Sequence, residues 1–221
     1  MTYVLGIDLG TSSLKGILMD EAGNLITTKS AEYQIDTPKQ GYSEQRPEYW
    51  VVALESVLTG LSVEVSDFGQ QLIGISFSGQ MHSLVVLDEN NTPVYPAILW
   101  NDVRTSKQCQ EITDRLGNRL LEITKNIALE GFTLPKILWL QENEPEVWSR
   151  VKKIMLPKDY FSLWLTGNIY TEFSDAAGTL LLDIEKKQWS KEIAQTFDID
   201  MAILPDLLES TAQTGLVKAE I

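Results

Sequence analysis

Three features of the chain predict an α/β fold: a run of short strands at its start, one amphipathic helix set between two strands, and a change to helical periodicity past residue 104. Tyr3 to Leu9 reads as an apolar strand, Gly10-Thr11-Ser12-Ser13 as a turn, and Leu14 to Met19 as a second strand. Asp20-Glu21-Ala22-Gly23-Asn24 then turns into a third strand at Leu25 to Ser30, which makes a meander of three antiparallel strands. Pro47 opens a helix, because proline at the first helical position loses no needed N–H, and Trp50, Val51, Leu54, Val57, Leu58 and Leu61 follow at helical spacing. Leu72 to Phe77 is a further strand closed by Ser78-Gly79. Leu84 to Leu87, a turn at Asp88-Glu89-Asn90-Asn91 and an extended segment through Pro96 to Trp100 come next.

Helices are then expected over Thr105 to Leu116, Leu134 to Glu142 and Pro157 to Leu165, interrupted by a strand at Lys153 to Leu156 and a hairpin-like stretch from Thr171 to Leu182. There is no repeat, no low-complexity tract and no Gly/Ser/Pro linker. The expected organisation is one α/β domain with a helical, irregular insertion from Arg104 to Ser190. Thr214 to Ile221 reads as a strand or turn broken off in progress, with no capped helix to finish it, which is the pattern of a fragment.

Composition narrows the function classes. With 221 residues, 43% hydrophobic and 22% charged, the chain has material for a sizeable core and neither a disordered nor a fibrous bias. A net charge of −13, with no Lys/Arg stripe, repels a phosphate backbone and argues against nucleic acid as a partner. The single Cys109 cannot form an internal disulfide and reads as a packed, inert thiol in a reducing compartment. No apolar run reaches the roughly 18 residues of a membrane span, and Met1 is followed by a strand instead of a targeting segment. A cytoplasmic protein with no membrane partner is expected.

The stretch "GIDLGTSSLKG", Gly6 to Gly16, sets Asp8 between glycines and hydroxyls. The turn offers backbone N–H groups and hydroxyls to an anion. A carboxylate beside such a cradle works only with a cation between them, and Mg²⁺ is the ion that joins few carboxylates to nucleotide phosphates and water. Asp8 is thus expected to hold Mg-nucleotide, with Thr11, Ser12 and Ser13 reaching the phosphates and Lys15 adding a charge. An ordinary hairpin with a solvent-facing Asp explains the same composition. Neither a Gly-Lys-Ser/Thr loop nor a Gly-x-Gly-x-x-Gly turn before a helix is present.

Six stretches in order, "GIDLGTSSLKG", "GYSEQRPEYW", "GISFSGQMHSLVVLD" with "PAILWNDVRT", "LEGFTLPKILWLQENEPE", "LPKDYFSLWLTG" and "SDAAGTLLLD", resemble the FGGY carbohydrate kinases, and among them the xylulokinases. The resemblance runs from Met1 to about Gly215. It implies a ribonuclease H-like fold of the actin/hsp70/sugar-kinase superfamily, a mixed sheet flanked by helices with a helical insertion. It also implies that residues 1–221 are the N-terminal domain of a kinase whose nucleotide-binding C-terminal domain lies elsewhere.

The resemblance further implies transfer of the ATP γ-phosphoryl to D-xylulose with Mg²⁺. The sugar partner would meet Met81 and His82, with Trp100, Asn101, Asp102 and Arg104 as a second constellation. An imidazole donates and accepts at once, and an indole face packs on the C–H face of a sugar while amide, carboxylate and guanidinium groups fix hydroxyls. Read alone, His82 fits a satisfied structural residue better than a ligand group, and Met81 fits the core more strongly still. Trp100 then fits a strand end and Asp102 a helix cap before Thr105. Ser174 to Thr179 fits a tight turn and receives no catalytic role.

The family's catalytic Asp sits in a glycine-rich "GGGDN"-like segment, which these residues do not contain, so the resemblance implies no turnover by this stretch alone. Gluconokinases also carry Met-His, whereas glycerol kinases carry Arg-Glu there. A gluconate or ribulose kinase, an actin-like ATPase and a non-catalytic sugar-binding module remain as alternatives, and a homodimer is left open.

Overall fold

A computed structural model describes residues 2–219 and 221. The backbone gathers into two compact units, one built from the chain up to Ile35 with Arg46–Gln80, the other from Asp36–Gln45 with the chain from Met81 onward.

In the first unit the predicted meander forms as β1 (Tyr3–Leu9), β2 (Ser13–Asp20) and β3 (Leu25–Glu32). The chain leaves for β4 (Glu44–Gln45) in the second unit and returns through α1 (Pro47–Glu64), α2 (Phe68–Gln71) and β5 (Leu72–Gly79). The sheet runs β3-β2-β1-β5, antiparallel within the meander and parallel between β1 and β5. Alternation fixes the faces: Tyr3, Leu5, Ile7 and Leu9 of β1 and Leu14, Gly16 and Leu18 of β2 are buried. Trp50, Leu54, Val57 and Leu61 of α1 are buried as well, and Pro47 stands in its first turn as expected. The β2–β3 turn is tied by Asp20, whose carboxylate accepts from Asn24 Nδ2, Asn24 N and Ala22 N at 2.8, 2.8 and 2.9 Å. Those bonds, the Asn24 side chain first, hold the Asp20 carboxyl below its ordinary pKa.

The second unit continues with β6 (Val85–Leu87), β7 (Ala97–Ile98), α3 (Ser106–Leu116), α4 (Asn118–Thr124), α5 (Thr133–Asn143), α6 (Pro145–Arg150) and β8 (Lys153–Met155). It finishes with α7 (Pro157–Thr166), β9 (Tyr170–Glu172), α8 (Phe173–Ala177), β10 (Leu182–Asp183), β11 (Gln188–Trp189), α9 (Lys191–Thr196), a 3₁₀ turn at Met201–Ile203 and β12 (Asp206–Leu208). Its strands pair two by two: β4 with β7, β6 with β8, β9 with β12 and β10 with β11. Ile112, Leu134, Ile137, Leu140, Leu180 and Ile193 stand at the centre of the core. Cys109 is buried there, and burial pushes its thiol up to about 11, in keeping with an inert packed group.

The stretch Thr171 to Leu182 departs from the expected hairpin. Glu172 accepts from Asp175 N and Ser174 N at 2.7 and 2.8 Å, which caps a helical turn, α8, where a β-turn was expected. β9 consequently pairs with β12 in parallel, and β10 pairs with β11. Of Thr214 to Ile221, expected as a strand or turn, residues 214–218 form no regular element, Ala219 lies in a turn with Ile221 N donating to Lys218 O at 3.2 Å, and Glu220 lies outside the described residues.

Gly16 is where α1 meets β2: a Cβ built there lies 2.6 Å from Val57 Cγ1. Gly16→Ala is expected to destabilise the fold by about 1–3 kcal/mol through overpacking, measured as a lower urea midpoint with an unchanged slope.

Candidate functional site

Asp8, the last residue but one of β1, is exposed and stands opposite exposed Lys15 in the β1–β2 register, so the two side chains share one face of the sheet. The turn beyond is closed by Gly10 N donating to Ser13 O at 3.0 Å. Two side chains grip the Gly10 carbonyl from one side: Tyr33 Oη donates at 2.6 Å and Gln80 Nε2 at 3.0 Å. The Gly10–Thr11 peptide is trans, as are all those among the described residues, so the Thr11 N–H points away from that carbonyl. Tyr33 N also donates to Ser12 O at 3.0 Å. Burial first, and then the charge of Asp8, push the Tyr33 hydroxyl pKa up, which keeps it a protonated donor. Thr11 and Ser13 are half-buried and Ser12 is exposed. The first unit therefore brings Asp8, Lys15 and the hydroxyl turn into one hairpin, as the sequence predicts. Tyr33 and Gln80, which orient that turn, were not singled out.

In the second unit Met81 and His82 are half-buried. His82 Nδ1 lies 2.8 Å from the Gly178 carbonyl oxygen. A carbonyl only accepts, so Nδ1 carries the proton and Nε2 of the neutral ring is left as an acceptor. The ring is held edge-on by Phe132, with centroids 4.7 Å apart, and the His82 carbonyl accepts from Thr133 Oγ1 at 3.0 Å. Gly178 has an ordinary φ of −75°. Its glycine is required by contact: a Cβ there would lie 2.7 Å from the His82 ring and 2.9 Å from the Met81 methyl. The "SDAAGT" stretch thus supports the Met-His pair directly. The glycine inside the motif was the available signal.

Trp100 is 47% exposed and Asn101 is exposed, so both are open to a ligand. Asp102 and Arg104 are not. The Asp102 side chain is fully buried and accepts from Ser43 N at 2.6 Å, Arg104 N at 2.9 Å and Arg104 Nη2 at 2.6 Å. The Arg104 guanidinium has a fully buried side chain, pairs also with Glu44 Oε1 at 2.7 Å, and stacks over the rings of Tyr42 and Trp139 at 3.7 and 4.7 Å. Burial works against the cation, but Asp102 and Glu44 outweigh it and hold the Arg104 pKa above its ordinary value.

Asp102 and Arg104, expected to meet the substrate, have buried side chains in this structure. Apart from Arg104 Nη1, which is buried without a hydrogen-bond partner, their polar groups are turned inward, where they brace the loop presenting Trp100 and Asn101. Asp102 is not the helix cap either, since Thr105 occupies that position without a side-chain cap bond. Trp100 N donates to Ser83 Oγ at 2.9 Å, and β4 pairs with β7 just before the loop. "GYSEQ" is thus the strap that holds "LWNDVR".

The FGGY family of carbohydrate kinases, N-terminal domain, matches residues 3–221. The chain belongs to this family. A protein of Lactococcus lactis subsp. lactis (strain IL1403) named "Xylulose kinase" is 91% identical over 221 residues, covering 100% of this chain and 44% of that protein. A crystal structure of a "xyloylose kinase" from Brucella ovis superposes with a TM-score of 0.95 at 37% identity, over 99% of this chain and 45% of that one. One of a gluconate kinase from Lactobacillus acidophilus gives 0.93 at 27%, over 99% and 44%. The chain spans less than half the length of these FGGY relatives. Its fold is that of the sugar kinases within the actin/hsp70 superfamily, a mixed sheet with flanking helices. Among the described residues, no group of three or more His, Cys, Asp or Glu side chains is placed to hold a metal ion, and no helix is long and apolar enough to cross a membrane.

His82 is the chain's sole histidine, so its imidazole nitrogens can be read without assignment. Long-range ¹H–¹⁵N spectra of the neutral ring should show a protonated Nδ1 and a bare Nε2. Gly178→Ala, which forces a methyl against the ring, should collapse that preference toward a mixture of tautomers.

Proposed function

We propose that the protein containing this chain is an ATP-dependent kinase that phosphorylates the terminal hydroxyl of D-xylulose, giving D-xylulose 5-phosphate. In this reading the chain supplies the sugar-selecting residues Met81, His82, Trp100 and Asn101 and the turn that meets the nucleotide phosphates. The observation that carries it is the locked Nδ1–H form of His82, which presents a bare Nε2 to a ligand hydroxyl beside a Met methyl. The name of the relative 91% identical to this chain supports the choice of xylulose. The exposed indole of Trp100 adds an apolar face for the C–H side of a sugar.

The sugar oxygen would attack the γ-phosphorus as the bond to the β-phosphate oxygen breaks, ADP leaves, and a base takes the hydroxyl proton. No residue of this chain is assigned as that base. Backbone amides and the hydroxyls of Thr11, Ser12 and Ser13 would hold the phosphates, with Lys15 adding positive charge. The residues fit a nucleotide-borne Mg²⁺ better than a resident metal. Asp8 is a single exposed carboxylate without the companion ligands of a protein-built site, and Mg²⁺ joined to phosphates needs only one or two carboxylates. Asp8 would hold that ion, which when bound neutralises phosphate charge.

Gluconate is the second reading, because a gluconate kinase from Lactobacillus acidophilus shares the backbone at a TM-score of 0.93. A coupled ADP-release assay on the full-length protein with Mg-ATP and equal D-xylulose, D-ribulose, gluconate and glycerol separates them. Clear preference for D-xylulose is expected, and preference for gluconate would replace the substrate.

Asp8→Ala in the full-length protein should lower kcat by on the order of a thousandfold, with sugar affinity by calorimetry nearly unchanged. Full activity in that variant would remove the metal role. Residues 1–221 alone should give no sugar-dependent ADP.

A further inference from the structure

The "LPKDY" stretch places a lysine in a buried position that the proposed chemistry does not use. Lys158 and Asp159 open α7 with side chains only 9% and 6% exposed. Lys158 Nζ lies 2.6 Å from Asp159 Oδ1, 3.3 Å from Asp175 Oδ2 and 3.6 Å from Glu172 Oε1. One ammonium thus faces three carboxylates contributed by α7, the end of β9 and α8. Burial pushes the Asp159 and Asp175 carboxyls above their ordinary pKa, and Lys158 pulls both back.

The cluster reaches the sugar motif through α8. Glu172 caps that five-residue helix, accepting from Ser174 N and Asp175 N. Ser210 Oγ donates to Glu172 Oε2, the oxygen that also accepts from Ser174 N. At the far end of α8, Gly178 N donates to Asp175 O at 2.9 Å. The carbonyl of Gly178 then accepts the His82 Nδ1 proton at 2.8 Å. A helix this short has little stability of its own. Its position is set by what grips its ends, and the grip at its start is the cation of Lys158 acting on Glu172 and Asp175.

We propose that Lys158 is a positioning residue for ligand recognition: from its buried ion cluster it holds α8 in place, and through the Gly178 carbonyl it holds His82 in the form that leaves Nε2 to the ligand. Its role in sugar selection rests on the kinase reading above; its hold on the histidine does not.

The test uses the full-length protein. Lys158→Met leaves one buried and two half-buried carboxylates without their cation, which repel one another and dislodge α8. The expected result is loss of the single-tautomer His82 signal in ¹H–¹⁵N spectra. KM for D-xylulose should rise at least about tenfold while KM for ATP stays within about twofold. Lys158→Arg, which keeps the charge, should restore much of both. A lysine that served stability alone would lower the melting temperature without moving the tautomer or splitting the two KM values, and that result overturns the proposal.

If Lys158→Met does not fold, Lys158→Gln takes its place, since its amide can still donate to Asp159 while the charge is removed. The same changes are expected at roughly threefold, and an unchanged tautomer and KM would again overturn the idea. If the tautomer moves in the variant while the unsubstituted protein turns over none of the four sugars, the positioning role stands and the kinase reading falls.

Discussion

The hydrogen bond from His82 Nδ1 to the Gly178 carbonyl decides what the second unit offers a ligand. Without it an imidazole samples two tautomers and both ring flips, and a polyol would meet a mixture of donors and acceptors. With it, one nitrogen is committed to the protein and the other presents a lone pair. The surroundings of His82 serve that commitment. Phe132 blocks rotation of the ring, Thr133 fixes the His82 carbonyl, and the missing side chain at Gly178 lets backbone and ring come within bonding distance.

A second constraint acts on the loop that carries Trp100 and Asn101. A large indole left 47% exposed gains little from burial, so its position has to be imposed from below. The buried Asp102–Arg104 pair does this, with Glu44 as a second anion and Tyr42 and Trp139 as stacking surfaces. Such a pair stabilises only if most of its donors and acceptors find partners. Here the Asp102 carboxylate also takes the Ser43 amide, which ties the Asp36–Gln45 strap to the loop. Substituting one member would leave an uncompensated charge in the interior, a larger loss than the pair's own net contribution.

Much of the fold was legible because strand alternation and helix periodicity reflect burial directly. The three-strand meander, α1 behind Pro47, and α3, α5 and α7 appear close to their expected bounds. Helices of six or seven residues, α4, α6 and α9, complete fewer than two turns and leave no readable period. The Thr171 to Leu182 stretch was misread because a glutamate capping the turn after it looks, in sequence, like any polar strand end. Legibility at the candidate site divides the same way. Asp8, the hydroxyl turn and Met81-His82 are local motifs. Tyr33 and Gln80 act on Gly10 from 23 and 70 residues away, and Gly178 on His82 from 96, so no single stretch displays these pairs. Asp102 and Arg104 were placed near the ligand since polar residues beside a Trp read as pocket walls. Their burial follows from Glu44 and Ser43, far back in the chain.

On the proposed reading the two units would recognise by different means, and this bears on how such a scaffold diverges. The hairpin around Gly10 offers backbone N–H groups and small hydroxyls whose direction is set by backbone geometry and by two donors on one carbonyl. That kind of site suits a phosphate in any nucleotide and tolerates little change, because a shift in the turn moves several groups together. The second unit offers side chains, Met81, His82, Trp100 and Asn101, on loops held from behind by buried charge. Exposed side chains can be exchanged while the braces stay. A gluconate kinase and a xylulose kinase can therefore share a backbone at TM-scores of 0.93 and 0.95 with this chain while differing in the sugar they are named for. Selectivity on this reading lies in a few exposed or half-buried groups, and their geometry is maintained by the buried charges behind them.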